Sequence, residues 1–133
     1  MKIFVYGTLL KGLQRERALS RSDFLGNGHI KGELYDLGRF PALKAGNNKV
    51  FGELYEVSEQ ILNHFDQIEG FKATNKAESL YIREMVDFHL ADTSEIIITE
   101  TYFYNRSVVG RSTLIPNGDY RDYRRKQGTL NSF

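Results

Sequence analysis

The stretch FVYGTLLKG, Phe4 to Gly12, sets an apolar, strand-like run against a loop punctuated by Gly7 and Gly12. Glycine permits close backbone approaches that a side chain forbids. The loop is therefore either a plain turn or a place where consecutive amides can hold an anion. Two glycines with four residues between them, placed between a strand and a candidate helix at Leu13 to Leu19, resemble a phosphate-binding loop. The chemistry then fails at the next two positions, because such a loop needs Lys and Ser/Thr to reach phosphate and magnesium. Leu13 and Gln14 stand there instead.

A second candidate is a carboxylate. SEQILNHFDQIEG is the best helix of the chain: Ser58 can cap it, Ile61, Leu62, Phe65 and Ile68 form one apolar stripe, and Gly70 can end it. Its last residue is Glu69, which faces the negative end of the helix dipole. Asp66, three residues earlier, adds like-charge repulsion. Both effects push the Glu69 pKa upward, in the direction a general acid/base working near neutrality requires. A solvated surface glutamate carries the same signature, so Glu69 needs a second witness. His29, His64 and His89 are scattered without metal-ligand spacing, and Ser58 and Ser107 lack the context of a nucleophile elbow. The run YRDYRRKQG from Tyr120 to Gly128 mixes arginines and tyrosines, which can touch RNA. It reads more simply as a solvated tail without an accompanying RNA-binding signature.

The elements that must position these residues are mostly strands. Ile3 to Tyr6 reads as a buried strand. KGELYDL (Lys31 to Leu37) and FGELYEV (Phe51 to Val57) form a partial repeat and read as a pair of sheet strands. Gly32, Leu34 and Asp36 fall on one face of the first copy, and Lys31, Glu33 and Tyr35 on the other. Between the copies, GRFPALKAGNN carries turn chemistry. Tyr81 to Leu90 and Glu95 to Tyr104 read as two further long strands, and the chain from Ile115 is polar and turn-rich. Together they predict an α+β domain on a mixed or antiparallel sheet that can close into a barrel.

Composition narrows the function classes. A chain of 133 residues with 41% hydrophobic and 26% charged residues reads as one ordinary globular domain, residues 1–133. Its net charge of +1 provides no field for nucleic acid or an acidic membrane. The lack of cysteine removes disulfides, thiolate nucleophiles and the usual zinc sites. The first apolar run is too short for a signal-peptide core, and a cytoplasmic location is expected.

Taken in order, these segments resemble the γ-glutamylcyclotransferase-like superfamily, in the branch that includes γ-glutamylamine cyclotransferases and AIG2-like proteins. VYGTLLKG resembles the family's strand and YGTL loop, and GELYDLGRFPAL with VFGELYEV its paired central strands. FDQIEG resembles the segment holding its catalytic glutamate, and LYIREMV the strand that follows. GDYRDY adds weaker similarity near the end. The family commonly has two basic residues after the tyrosine of LYIREMV, whereas this chain has Ile82 before Arg83.

The resemblance implies a small mixed β-barrel with flanking helices. It assigns Tyr6, Gly7, Thr8 and Leu9 to substrate binding and Glu69 to general acid/base catalysis. It implies a small γ-glutamyl amide as partner, cyclised to 5-oxoproline with release of an amine, without cofactor, metal, nucleic acid or membrane. A non-catalytic ligand-binding or regulatory domain of the same fold is the alternative. The leaving amine and the oligomeric state are left open by these residues.

Overall fold

The repeated GELY segments lie in two long antiparallel strands in the computed structural model of the protein, which describes residues 1–7, 16–110 and 112–131. Strand β2 (Asp23–Asp36) pairs with β3 (Pro41–Glu56) along nearly their whole length, from Asp23 opposite Glu56 to Asp36 opposite Pro41. The expected face alternation holds, with Gly32 and Leu34 buried and Lys31 exposed. The turn is shorter than its composition suggests. The Leu37 N–H donates to the Phe40 carbonyl at 3.0 Å, the Asp36 side chain accepts from the Gly38 N–H at 2.7 Å, and β3 begins at Pro41. The glycine and asparagines at 46–48 instead lie within β3, where the register jumps between Lys44 and Asn48. The ladder with β2 resumes on either side of this bulge, at Lys44 and Asn48, so tertiary pairing overrides local turn propensity.

Strand β1 (Lys2–Val5) closes the sheet. It runs antiparallel to β3, with Ile3 opposite Tyr55, and parallel to β5 (Ile96–Tyr104) at Ile3 and Glu100. The Thr101 hydroxyl reinforces this short parallel contact by donating to the Phe4 carbonyl at 3.0 Å. Strand β5 pairs with β4 (Tyr81–Leu90), and β4 returns to β2 at Gly28 and His29. The result is a closed five-stranded mixed barrel, with β6 (Thr113–Leu114) added beside β2. The closure leaves no room at Gly52, where a Cβ would lie 2.1 Å from the Val5 carbonyl oxygen.

Alternation divides the core in two. Phe4 packs in the barrel with Ile30, Leu34, Leu43, Val50, Leu54 and Phe88, whereas Ile3 and Val5 pack with Leu62 and Phe65 of helix α1 (Glu59–Glu69). The helix has the expected ends: Ser58 accepts from the Ile61 N–H, and Gly70 takes the left-handed conformation at φ 66°. The segment expected to be a short helix contributes a 3₁₀ turn at Glu16–Leu19, and its first residues, 13–15, lie outside the described residues. No helix among the described residues is long and apolar enough to cross a membrane.

The expectation of a solvated tail is corrected. Tyr120 begins helix α2 (Tyr120–Asn131) and is 1% exposed, packed with Ile115 against the barrel core. The Tyr123 hydroxyl donates to Asp36 at 2.7 Å, and Arg121 pairs with Glu53 at 2.8 Å. The reason is that the polar residues hold partners on β2 and β3 while single aromatics supply the buried contacts, so no long apolar stripe marks the helix.

Truncating Tyr120 therefore tests whether this helix is part of the core. Tyr120→Ala should lower unfolding free energy by about 3–5 kcal/mol, the range for removing a large buried aromatic. Urea unfolding of the variant reads this directly, and a midpoint equal to the parent's would mean that the carboxyl-terminal segment is not packed.

Candidate active site

The end of β1, the start of β3, the start of β4, β5 and the last residue of α1 meet at one cleft. Tyr6 and Gly7 lie there beside Phe40 and Pro41, with Tyr81, Tyr102 and Glu69 completing the wall. Three expected site residues, Tyr6, Gly7 and Glu69, are thus brought together from distant parts of the chain. Thr8 and Leu9 lie outside the described residues. At Gly7 the close approach is to protein, since a Cβ there would lie 2.6 Å from Pro41 Cγ.

Hydroxyls of three buried tyrosines hold the wall in place. The Tyr6 O–H donates to the Tyr102 backbone carbonyl, and the Tyr81 O–H donates to the Pro41 carbonyl at 2.8 Å. Tyr102 in turn donates to Asp66 Oδ1 at 2.6 Å. Burial pushes the Tyr6 phenol well above its ordinary range, and neighbouring Tyr81 and Glu69 push it further. Burial likewise raises Tyr102, reinforced by its hydrogen bond to the Asp66 carboxylate. Both phenols are held neutral, as donors rather than acids.

Asp66 has a different part from the one its spacing suggested. Arg83 Nη1 reaches both of its carboxylate oxygens, at 2.6 and 2.7 Å, while Arg83 Nε donates to Glu100 at 2.9 Å. The guanidinium also lies 5.4 Å from the Phe71 ring centroid. The charge expected to repel Glu69 is therefore compensated by a cation. The Asp66 backbone carbonyl also accepts from the N–H groups of Gly70 and Phe71, either side of the turn that ends α1. One aspartate thus ties the helix end bearing Glu69 to β4 and β5.

Glu69 is half-buried and is the one carboxylate among the described residues lining the cleft. A carboxylate at the rim of an aromatic-walled cleft can exchange a proton with a bound ligand. Sequence reasoning did not single out Tyr81 and Tyr102 for the site. Their strand alternation shows that they share a face with other residues, but not that this face meets the end of α1.

Comparison with known proteins adds independent information. The family model described as gamma-glutamyl cyclotransferase, AIG2-like, matches residues 3–122. A protein from Niallia circulans named gamma-L-glutamyl-butirosin B gamma-glutamyl cyclotransferase is 32% identical over 106 residues, covering 78% of this chain and 67% of that protein. The gamma-glutamylcyclotransferase family protein YtfP of Escherichia coli K12 is 30% identical over 123 residues, covering 92% of this chain and 97% of its relative. The solution structure of ytfP from Escherichia coli superimposes with a TM-score of 0.65 at 29% identity, covering 93% of this chain and 99% of that one.

The buried phenols generate a prediction about alkaline stability. Their folded-state pKa values are raised, so their contribution is fully present below the unfolded value of about 10 and is lost as pH rises through the folded values. Spectrophotometric titration should therefore show the Tyr6 and Tyr102 phenols ionising after the exposed ones, together with loss of near-ultraviolet dichroism. Ionisation of all eight tyrosines in one step near the ordinary value, with the fold intact, would contradict this account.

Proposed function

The chain belongs to the gamma-glutamyl cyclotransferase, AIG2-like family, and from that premise we propose that it cyclises a γ-glutamyl amide to 5-oxoproline and releases the free amine. The observation that carries this reading is the placement of Glu69 on the same cleft as Tyr6 and Gly7. A γ-glutamyl amide contains its own nucleophile, because its α-amino group can close a five-membered ring on the γ-carbonyl. The protein needs only to bind the substrate in a folded conformation and to move protons.

In this mechanism Glu69 takes a proton from the substrate's α-ammonium group. The freed amine attacks the γ-carbonyl carbon, forming the ring C–N bond and an oxyanion. Collapse of that intermediate breaks the original amide C–N bond, and the protonated Glu69 returns its proton to the departing nitrogen. The ring nitrogen, which carries two hydrogens after the attack, gives up one of them to the released amine, which leaves as an ammonium ion, so that Glu69 and the proton inventory are restored at the end of each turnover. The segment Tyr6, Gly7, Thr8 and Leu9 binds the glutamyl end, with backbone amides directed at its carboxylate or at the developing oxyanion. Tyr81 and Tyr102 supply a neutral wall, consistent with the raised phenol pKa of Tyr102.

The substrate class proposed is a γ-glutamylamine or a γ-glutamyl amino acid. The name of the Niallia circulans relative, which specifies a γ-L-glutamyl group on butirosin B, supports a reading in which the glutamyl end is shared and the leaving group varies. A panel of γ-glutamyl compounds with direct detection of 5-oxoproline tests the activity. With an active substrate in hand, Glu69→Gln should reduce turnover by about 10²–10⁴-fold, the usual contribution of a general acid/base. Glu59→Gln, at the exposed opposite end of α1, should leave it unchanged. Parental turnover by the Glu69→Gln enzyme would rule out the proposed proton transfer.

A further inference from the structure

A second constellation lies on the barrel where β3, β2 and β4 run side by side, and it shares no lining residue with the tyrosine cleft. Phe51 stands opposite His29 in one ladder, and His29 stands opposite His89 in the next. The two imidazoles stack with centroids 4.8 Å apart and planes 5° from parallel, while Phe51 tilts against His29 at 5.9 Å. His29, His89, Lys49 and Phe51 face a cavity of about 600 Å³, a volume within the range of small-molecule sites. Two of the three histidines that look scattered in the chain, His29 and His89, are therefore neighbours in the barrel.

The charges lining this cavity balance in number, Lys49 and Arg121 against Glu53 and Asp119, but not in placement. Lys31 faces Lys49 directly across the β2–β3 ladder, an arrangement that costs stability when nothing negative intervenes. Among the described residues, neither lysine makes a salt bridge; the ion pairs use other cations. Of the nearby acids, Glu53 is engaged by Arg121 of α2 at 2.8 Å, and Asp119 accepts from the Asp122 N–H at 3.1 Å. Asp87 of β4 shares an adjoining cavity with Lys31 and His89. Burial lowers the His29 pKa, and His89 and Lys49 lower it further. His29 is thus set against protonation until a counter-charge arrives. Stacked parallel rings do not converge their nitrogens on one point, and no group of three or more His, Asp or Glu among the described residues is arranged for a metal ion.

We propose that this face is a second binding site, for a small molecule carrying a phosphate or carboxylate group that Lys49 and the His29–His89 pair hold, with Lys31 beside them and Phe51 against the organic part. Binding a dianion here couples to proton uptake by the imidazoles, because negative charge favours their charged form. Affinity therefore rises as pH falls toward the lowered His29 value. This site is independent of the proposed cyclotransferase chemistry and stands or falls separately from it.

Sulfate is the probe, because its charge is constant across the imidazole range, and acetate tests whether a carboxylate suffices. The chain has three histidines, so His64 on α1 serves as the internal control. In proton NMR titrations at matched ionic strength, sulfate should shift the imidazole signals of His29 and His89 saturably and raise the titration midpoint of His29. His64 should show neither effect. Lys49→Gln, at an exposed position, should weaken sulfate binding by about tenfold, the factor that corresponds to about 1.4 kcal/mol. It should leave the circular dichroism spectrum and His64 unchanged. Saturable shifts with acetate as well would identify the shared oxyanion as the determinant; saturable shifts with sulfate alone would identify a dianion. Equal, non-saturating shifts at all three histidines, or an unchanged sulfate affinity in the Lys49→Gln variant, would overturn the proposal.

Discussion

Closure of the barrel through its shortest major strand is the constraint on which the other features depend. β1 has four residues, yet it joins β3 on one side to β5 on the other. A strand this short contributes few ladder bonds, so its position relies on burial of alternating side chains into both cores and on the Thr101 contact to its backbone. The same closure carries Tyr6 and Gly7 to the end of the barrel where Pro41, Tyr81 and Tyr102 converge. The cleft is a consequence of ending β1 at that point.

The end of α1 is fixed by electrostatics rather than by apolar packing alone. The apolar residues Leu62 and Phe65 seat the helix on the barrel, but they do not determine the orientation of its last turn. Asp66 does this with its side chain on Arg83 and Tyr102 and its carbonyl on the turn at Gly70. Breaking a partly buried pair leaves an uncompensated charge, and here that charge would sit one turn from Glu69. Stability of the helix end and positioning of the cleft carboxylate are therefore coupled through one arginine. The second face differs in one respect: Lys31 and Lys49 oppose one another across a ladder, beside the Arg121–Glu53 pair. The contrast separates a network completed within the protein from one that a ligand's charge can complete.

Much of the fold was legible because it is written in local periodicity and caps. The strand alternation of the two GELY segments, the two long strands around the Tyr81 and Thr99 regions, and the Ser58-to-Gly70 helix all follow from short-range rules, and the structure bears them out. The turn chemistry at 46–48 misled because a bulge in a long strand uses the same residues as a turn. The tail misled because helix α2 is anchored by single aromatics, above all Tyr120, amid charged residues whose partners lie on other strands.

For the site, the sequence by itself determined the chemical inventory: a glycine-broken loop after a strand, a glutamate at a helix end, and no cysteine. It also carried the ordered motifs that mark the family. Only the tertiary structure decided which of these residues share a cleft, that Asp66 is neutralised rather than repulsive, and that His29 and His89 touch. Each of those outcomes depends on register between strands distant in the chain. A ladder shift of one residue would turn every side chain to the opposite face, so barrel closure, rather than local spacing, selects the neighbours that set each charge and proton.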